Sequence, residues 1–525
     1  MKPTILLPSA LCLAAGTLAT AAQSAPPPPL PNILYFLVDD MGFSDCGFAG
    51  GKDFLTPNID ALARKGVIFQ NYYVQPLCSA SRSTIMTGRM PNRHGIYGAI
   101  VGELPYGLPL DERILPQLLK TSGYTSAITG KWHCGHYRPE YRPTSRGWDH
   151  QYGFYTAMLD YFTHKRLAGA RAPGWFRDDK PLHEEGYTTH LIAREASRLI
   201  KQHAATNTRA AATNANSARQ RPIENRESKI ENPAPLFLYV PFNAVHSPFQ
   251  VPPEYEKPYA NLTSNRRRLG AMLAVVDEAI GQIYAALVET GMADNTLIIF
   301  SSDNGGVSPG TRSDNRPLRA GKGTIYEGGI RSAAFVVWPN HIKPNTTAAP
   351  PVHLVDWYPT LAAIAGIDPT APIPTPLASD NPKSRIQNPK SLDGHNILPL
   401  LLEGKPPPRD TLLIVGTSPQ RYAYRKGDWK LLVNPNANEL HSDARRADPD
   451  DITDTEIISK TRLELYNLAT DIGETKNLAA AEPARLKQMY AEASAIMRDA
   501  APSLSVTTSK KTAKTGKTGK AKKGK

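Results

Sequence analysis

A chain of 525 residues exceeds what one ordinary hydrophobic core organises, so a large domain with a smaller companion is expected. Apolar residues make up 41% and charged residues 21%, values of a soluble globular protein that exclude a fibrous or wholly disordered chain. The formal charge of +13 suggests nucleic acid until it is located: the last sixteen residues hold eight lysines and no acid, and no nucleic-acid partner is expected.

Along the chain, residues 1–21 read as a signal peptide. Lys2 is a minimal positive end, the stretch from Ile5 to Leu18 is apolar, and Ala19-Thr20-Ala21 offers small residues for cleavage. The apolar stretch is short for a membrane span, so no transmembrane anchor is expected; an uncleaved anchor is the competing reading. The protein is then exported, to a periplasm or beyond the cell. Residues 22–31 form a Pro-rich spacer around Pro26 to Pro29. Of four cysteines, Cys12 lies in the leader, and an odd set of Cys46, Cys78 and Cys134 remains, too few for a disulfide scaffold.

Asn32 to Val38 reads as a buried strand and ends in Asp39-Asp40. Ligands gather at the carboxyl ends of parallel strands, so this acidic pair suits a cation, although acids also cap helices. Asn58 to Lys65 has helical spacing, Ile114 to Thr121 is a second helix, and Tyr124 to Thr129 is the next strand. Residues 204–235, rich in Ala, Asn, Arg and Ser without a steady period, read as a disordered insertion. Leu236 to Pro241 is a strand. Arg266 to Glu289 is an amphipathic helix through Leu269, Leu273, Val276, Ile280, Ile283 and Leu287, with Arg266-Arg267-Arg268 assigned to its solvated face. Thr296 to Ser302 is a strand ending in Asp303-Asn304-Gly305-Gly306, a carboxylate and an amide oxygen suited to a hard divalent cation.

The alternation predicts an α/β fold, a mostly parallel central sheet flanked by helices, over residues 32–390. Pro369 to Lys390 is a Pro- and Ser-rich loop. Shorter strand-like pieces follow at Thr411 to Val415, Trp429 to Val433 and Leu463 to Tyr466, predicting a smaller α+β domain with an antiparallel sheet over 391–500. Residues 501–525 form a Lys-rich tail expected to be disordered, which either attracts anionic polysaccharide or serves solubility.

The segment Cys78-Ser79-Ala80-Ser81-Arg82, continuing through Thr87-Gly88-Arg89, resembles the signature of the sulfatase family within the alkaline-phosphatase superfamily. In that signature the cysteine is oxidised to formylglycine by a formylglycine-generating enzyme; Ala80 stands where Pro is commoner. The resemblance extends from about Pro31 to Asn477. It implies a hydrated aldehyde whose one hydroxyl attacks sulfur and displaces the alcohol, giving a covalent sulfated intermediate. The second hydroxyl then loses its proton and sulfate is expelled. Gly130-Lys131-Trp132-His133 matches a family segment in which Lys131 contacts the sulfate or nucleophile and His133 orients or deprotonates the hydroxyl. His246, in Asn243 to Phe249, would contact the sulfate and protonate the leaving oxygen, and Lys322 would clamp the sulfate. Arg82 would support the nucleophile. Asp39, Asp40, Asp303 and Asn304 match the ligands of one Ca2+, with modified Cys78 completing the shell.

Glu327 to Arg331 continues the lysine's signature and reads as structural, as does Cys46. Cys134 and His136 are too sparse a pair for zinc. The run from Leu108 to Thr163 looks like the arylsulfatase B type, an N-acetylgalactosamine-4-sulfatase, and implies a sulfated carbohydrate substrate with aryl sulfates as surrogates. Two alternatives stand beside this reading. One is a phosphate or phosphonate ester hydrolase of the same superfamily; the other is a catalytically dead protein that binds sulfated glycans.

Overall fold

The computed structural model describes residues 29–167, 173–220, 234–307, 313–371, 390–435 and 461–505. The leader and almost all of the spacer lie outside these residues, as do most of the 369–390 loop and the tail beyond Ser505.

The strands, in chain order, are β1 (Asn32–Val38), β2 (Val67–Phe69), β3 (Tyr72–Tyr73), β4 (Thr125–Lys131), β5 (His150–Phe154), β6 (Phe176–Arg177), β7 (Lys180–Pro181), β8 (Leu236–Pro241), β9 (Thr296–Ser302), β10 (Ala334–Val337), β11 (Thr346–Ala348) and β12 (Val352–His353). A smaller set follows: β13 (Thr411–Val415), β14 (Tyr422–Lys426), β15 (Trp429–Val433) and β16 (Leu463–Asn467). The main sheet has the order β11-β2-β10-β9-β1-β8-β4-β5-β6-β7, and its centre, β9-β1-β8-β4-β5, is parallel throughout. β10 runs antiparallel between β9 and β2. The mostly parallel α/β fold and the antiparallel C-terminal sheet expected from the sequence are both present.

β1 shows why an unbroken apolar run becomes a central strand. Leu34, Phe36 and Val38 face one core, and Ile33, Tyr35 and Leu37 face the other. Both faces are covered by helices, so both alternating sets must be apolar. Helices Pro57–Ala63, Thr188–Gln220 and Ser264–Glu289 cover the first face. Cys78–Thr87, Leu115–Leu119 and Trp357–Ile364 cover the second. All six apolar positions read as the stripe of helix Ser264–Glu289 are buried, each contributing roughly 1.5–3 kcal/mol over an exposed side chain. By length and composition this helix could cross a membrane, but here it is core.

Four expectations need correction. Residues 204–220, read as a disordered insertion, continue the helix that starts at Thr188 and packs along Ser264–Glu289. The apolar period fades because the helix leaves the core, yet its alanines favour helix without one; residues 221–233 lie outside the described set. Arg266 is not solvated: it is buried, with Nη1 2.5 Å from Asp45 Oδ1, Nη2 3.1 Å from Asp53 Oδ2, and its guanidinium over the Phe54 ring. Of that arginine run, Arg268 is the exposed one. The change of partner also comes later than residue 391, because Leu400 and Leu401 still pack in the main body's core. Finally, the tail starts later than 501: the Ala501 and Leu504 amides donate to Asn92 O and Gly95 O.

The small sheet β13–β16 and the C-terminal helix Pro483–Met497 share a third core with Tyr73, Met90, Ile325 and Ile330 of the main body. A buried ion network fastens the two. Lys430 of β15 donates to Glu327 Oε1 and Glu474 Oε1, both at 2.8 Å. Tyr73 Oη donates to the other oxygen of Glu327 at 2.9 Å, and Arg331 lies 3.3 Å from it. Glu327 is therefore structural, as expected from the sequence.

Candidate functional site

The site forms where β1, β4 and β9 end. Asp39 and Asp40 follow β1, Asp303 and Asn304 follow β9, Lys131 closes β4, and Cys78 opens helix Cys78–Thr87. Consecutive strand residues point to opposite faces. Asp39 and Asp40 nevertheless serve one site, because the strand has ended and Asp40 takes a left-handed φ of 65°. His133, two residues past β4, does the same at φ 57°. Non-glycine residues held there are costly and are retained where surrounding structure fixes them. Gly130 permits the close packing of β4 on β8: a Cβ there would collide with the Pro241 carbonyl oxygen.

Every side chain named from the sequence converges here. Arg82, fully buried, donates through Nε and Nη2 to Asp303 Oδ2 at 3.0 and 2.8 Å and through Nη1 to the Lys131 carbonyl at 2.8 Å. Nη2 also lies 3.7 Å from Asp39 Oδ2. Lys131 Nζ is 2.5 Å from Asp39 Oδ2. Lys322 Nζ is 2.6 Å from Asp40 Oδ1 and 2.8 Å from Oδ2. Asn304 Nδ2 donates to Asp40 Oδ1 at 2.7 Å. His246 Nε2 stands 3.7 Å from Asp40 Oδ2.

The charges shape one another. Burial alone would raise Asp39, but Lys131, His246, Arg82 and Lys322 hold it well below the usual carboxylate range. Asp303 goes the other way: burial and the neighbouring Asp39 charge push it up despite Arg82. Lys322 is held well above the ordinary lysine value because the carboxylates around it outweigh its burial. Burial pushes the Cys78 thiol up, so an intact thiol is protonated and a poor nucleophile. Burial and the Lys131 charge drive His133 well below the usual imidazole range. Its Nε2 bonds the Ile100 carbonyl at 3.0 Å, and its buried Nδ1 has no partner. A neutral ring that donates from Nε2 leaves Nδ1 as a proton acceptor.

The donor set suits a hard cation. Asp39 Oδ1 and Asn304 Oδ1 are buried without a hydrogen-bond partner, which is costly unless something else satisfies them. One ligand atom each from Asp39, Cys78 and Asp303 lie within 4.8 Å of one another, and so do those from Asp39, Asp40 and His246. Carboxylate and amide oxygens match a hard divalent ion. A soft thiol is the misfit among them. Among the described residues, no group of three ligands includes Cys134 or His136.

Positioning groups absent from the sequence reading complete the site. Ser79 Oγ donates to the His133 carbonyl at 2.8 Å and accepts the Ile100 amide at 3.0 Å, fixing both ends of the histidine's support. Tyr161 Oη is 2.7 Å from the carbonyl oxygens of both Asn243 and His246. Ile100 acts through its backbone, and no side-chain pattern could have announced it.

A family model described as Sulfatase matches residues 31–367, the span that carries all of these groups. The chain belongs to the sulfatase family. This sulfatase is 36% identical over 390 residues to mouse arylsulfatase J, covering 73% of the chain and 58% of that relative. It therefore spans little more than half of the mouse protein's length. It is 32% identical over 405 residues to human N-acetylgalactosamine-6-sulfatase, covering 73% of the chain and 68% of the relative. Its fold superposes on the crystal structure of Ps i-CgsB in complex with k-i-k-neocarrahexaose, with TM-score 0.71, 29% identity, and coverage of 90% of this chain and 94% of that one.

Proposed function

We propose that this sulfatase hydrolyses sulfate esters of a carbohydrate, with Cys78 converted to formylglycine and one Ca2+ held by Asp39, Asp40, Asp303, Asn304 and the converted side chain. The observation that carries the reading is the unpartnered pair Asp39 Oδ1 and Asn304 Oδ1 beside Cys78, in a site otherwise closed by cations. When present, the two groups supply an oxygen nucleophile and a fixed positive charge. The chain's own residues do the rest. Lys131 and Lys322 are fixed cations for the sulfate oxygens, and Arg82 holds Asp303 in place. His133, anchored through Nε2, accepts the nucleophile's proton at Nδ1. His246 donates from Nδ1 to the Ser247 carbonyl at 2.7 Å; as the imidazolium, its charge met by Asp40 at 3.7 Å, it carries a second proton on Nε2 for the departing alcohol oxygen.

A carbohydrate substrate is supported by the relative named for N-acetylgalactosamine-6-sulfate and by the solved structure holding a neocarrahexaose. The 4-sulfate specificity suggested by the segment from Leu108 to Thr163 belongs to the same proposal, as does export through residues 1–21 and maturation by a formylglycine-generating enzyme. The test has two arms on protein coexpressed with such an enzyme. Mass spectrometry of the Cys78 peptide should find the aldehyde, and sulfate release should be measured on sulfated saccharides and on an aryl sulfate. Faster turnover of the matched phosphate ester would replace this reading with the phosphohydrolase one. An unmodified thiol with no turnover of either ester would leave a glycan-binding protein.

A further inference from the structure

The segments that hold His133 and His246 each expose a large apolar side chain. Val101 follows Ile100, whose carbonyl holds His133. Tyr137 lies four residues beyond His133, and Phe162 follows Tyr161, whose hydroxyl bonds the His246 carbonyl. Val101 and Tyr137 are each 51% exposed and Phe162 is 43% exposed, in a molecule whose apolar residues are otherwise mostly buried.

Arg166 ties these loops together. Its Nη1 is 3.5 Å from Glu103 Oε1 and its Nη2 is 3.4 Å from His136 Nε2, so the segments carrying Val101 and Tyr137 meet at one guanidinium. Arg166 also bridges back to Leu159, closing the hairpin on which Phe162 sits. Phe162 is braced: its ring lies 5.3 Å from Tyr187, which stacks on Tyr161 at 5.3 Å. A bracing aromatic on one side and solvent on the other leaves a rigid open face at low entropic cost.

We infer that Tyr137 and Phe162 form an aromatic rim that receives the sugar ring next to the sulfated one, the C–H face of the ring lying on the aromatic surface. Glu103, 42% exposed and held by the largely buried Arg166, provides a hydrogen-bonding carboxylate for its hydroxyls at the same place. A saccharide fits this chemistry better than a lipid or a protein, because the apolar faces are small, interspersed with Glu103 and Arg166, and carried on the segments that hold His133 and His246. The inference rests on the carbohydrate-sulfatase reading and assigns the part of the glycan beyond the ester to named side chains.

The experiment compares kcat/KM for a sulfated tetrasaccharide with that for a short alkyl sulfate, on formylglycine-bearing enzyme and its Tyr137→Ala, Tyr137→Phe and Phe162→Ala variants. Each alanine variant should lower the ratio of the two constants by about three- to tenfold, through KM for the tetrasaccharide, in line with typical aromatic-contact energies. Tyr137→Phe, which keeps the ring, should retain the wild-type ratio. An unchanged ratio in both alanine variants, or an equal fall for both substrates, overturns the rim. Failure of the wild-type enzyme to release sulfate from any ester would instead overturn the reading beneath it, so the two failures are distinguishable.

Discussion

Arg82→Ala isolates the group that holds the site together before any substrate arrives. Arg82 is 1% exposed and Asp303 fully buried, and two of its three donated hydrogen bonds end on that carboxylate. Deleting the guanidinium leaves a buried carboxyl beside Asp39 with no side-chain cation bonded to it, a change that costs about 3–5 kcal/mol. The third bond, to the Lys131 carbonyl, falls within the same loss because it positions the end of β4. Arg82→Lys keeps the charge but not the reach to both partners, and should recover about half of the loss. Arg268→Ala is the control: its pair with Glu256 is 3.7 Å long with side chains 49% and 30% exposed, and should change stability by no more than about 1 kcal/mol. Urea unfolding followed by circular dichroism, at one fixed calcium concentration, measures all three. An Arg82→Ala protein within about 1 kcal/mol of wild type, the size of effect expected for an exposed pair, would refute the view that this buried pair organises the strand ends.

Lys131→Ala and Lys322→Ala should each lower kcat on an aryl sulfate by about 10²–10³-fold, the usual cost of removing a fixed donor from developing negative charge; a fall under about tenfold would exclude the role. Lys430→Met strands Glu327 and Glu474 without the ammonium they share. It should destabilise by about 3–5 kcal/mol while kcat at 25 °C, measured on the folded fraction, stays within about twofold of wild type. The buried imidazoles set acid stability. Burial and the Arg89 charge lower His94 to about 3, and burial with Arg409 holds His353 well below its usual range. Each accepts a backbone amide at Nδ1, from Ile96 and Val355. The unfolded chain takes up these protons near pH 6.5, so their contribution is whole above that pH and is lost as pH falls. By pH 5 His94 alone removes about 2 kcal/mol, and His353 acts in the same direction. The His94→Asn/His353→Asn double variant should show a shallower loss of stability from pH 6.5 to 5; an identical slope would reject the assignment.

The parts of this molecule legible in the sequence are those where one residue type at one spacing has one physical consequence. Six apolar positions of helix Ser264–Glu289 repeat with the helical period, and all are core. Acids directly after β1 and β9 stand side by side because the two strands pair in register, Val38 beside Ser302. Other features depend on partners far away in sequence. Arg266 and Arg268 lie on the same helix, but only Arg266 finds Asp45 across 221 residues. Glu474 looks like any surface acid until β15 brings Lys430 to it. Residues 204–220 mislead for a different reason, since a helix that has left the core needs propensity and no apolar stripe.

The charge count of the site explains why its cations are paired with acids even though the proposed function gives both other work. Asp39, Asp40 and Asp303 face Arg82, Lys131 and Lys322, three negative groups against three positive ones. The protein can therefore bury all six without a net charge in the low-dielectric centre, which a set of lysines waiting alone for sulfate could not do. A divalent ion accepted by the unpartnered oxygens of Asp39 and Asn304 would bring the centre to an excess of two positive charges. In the proposed mechanism the transferred group stays a monoester of one negative charge on the enzyme, and the sulfate expelled from it carries two, so the excess is best matched in the release step. An excess matched to developing charge stabilises the transition state of that release above the sulfated intermediate. In the proposed function the lysines would move only from carboxylate to sulfate oxygen, keeping an anionic partner throughout.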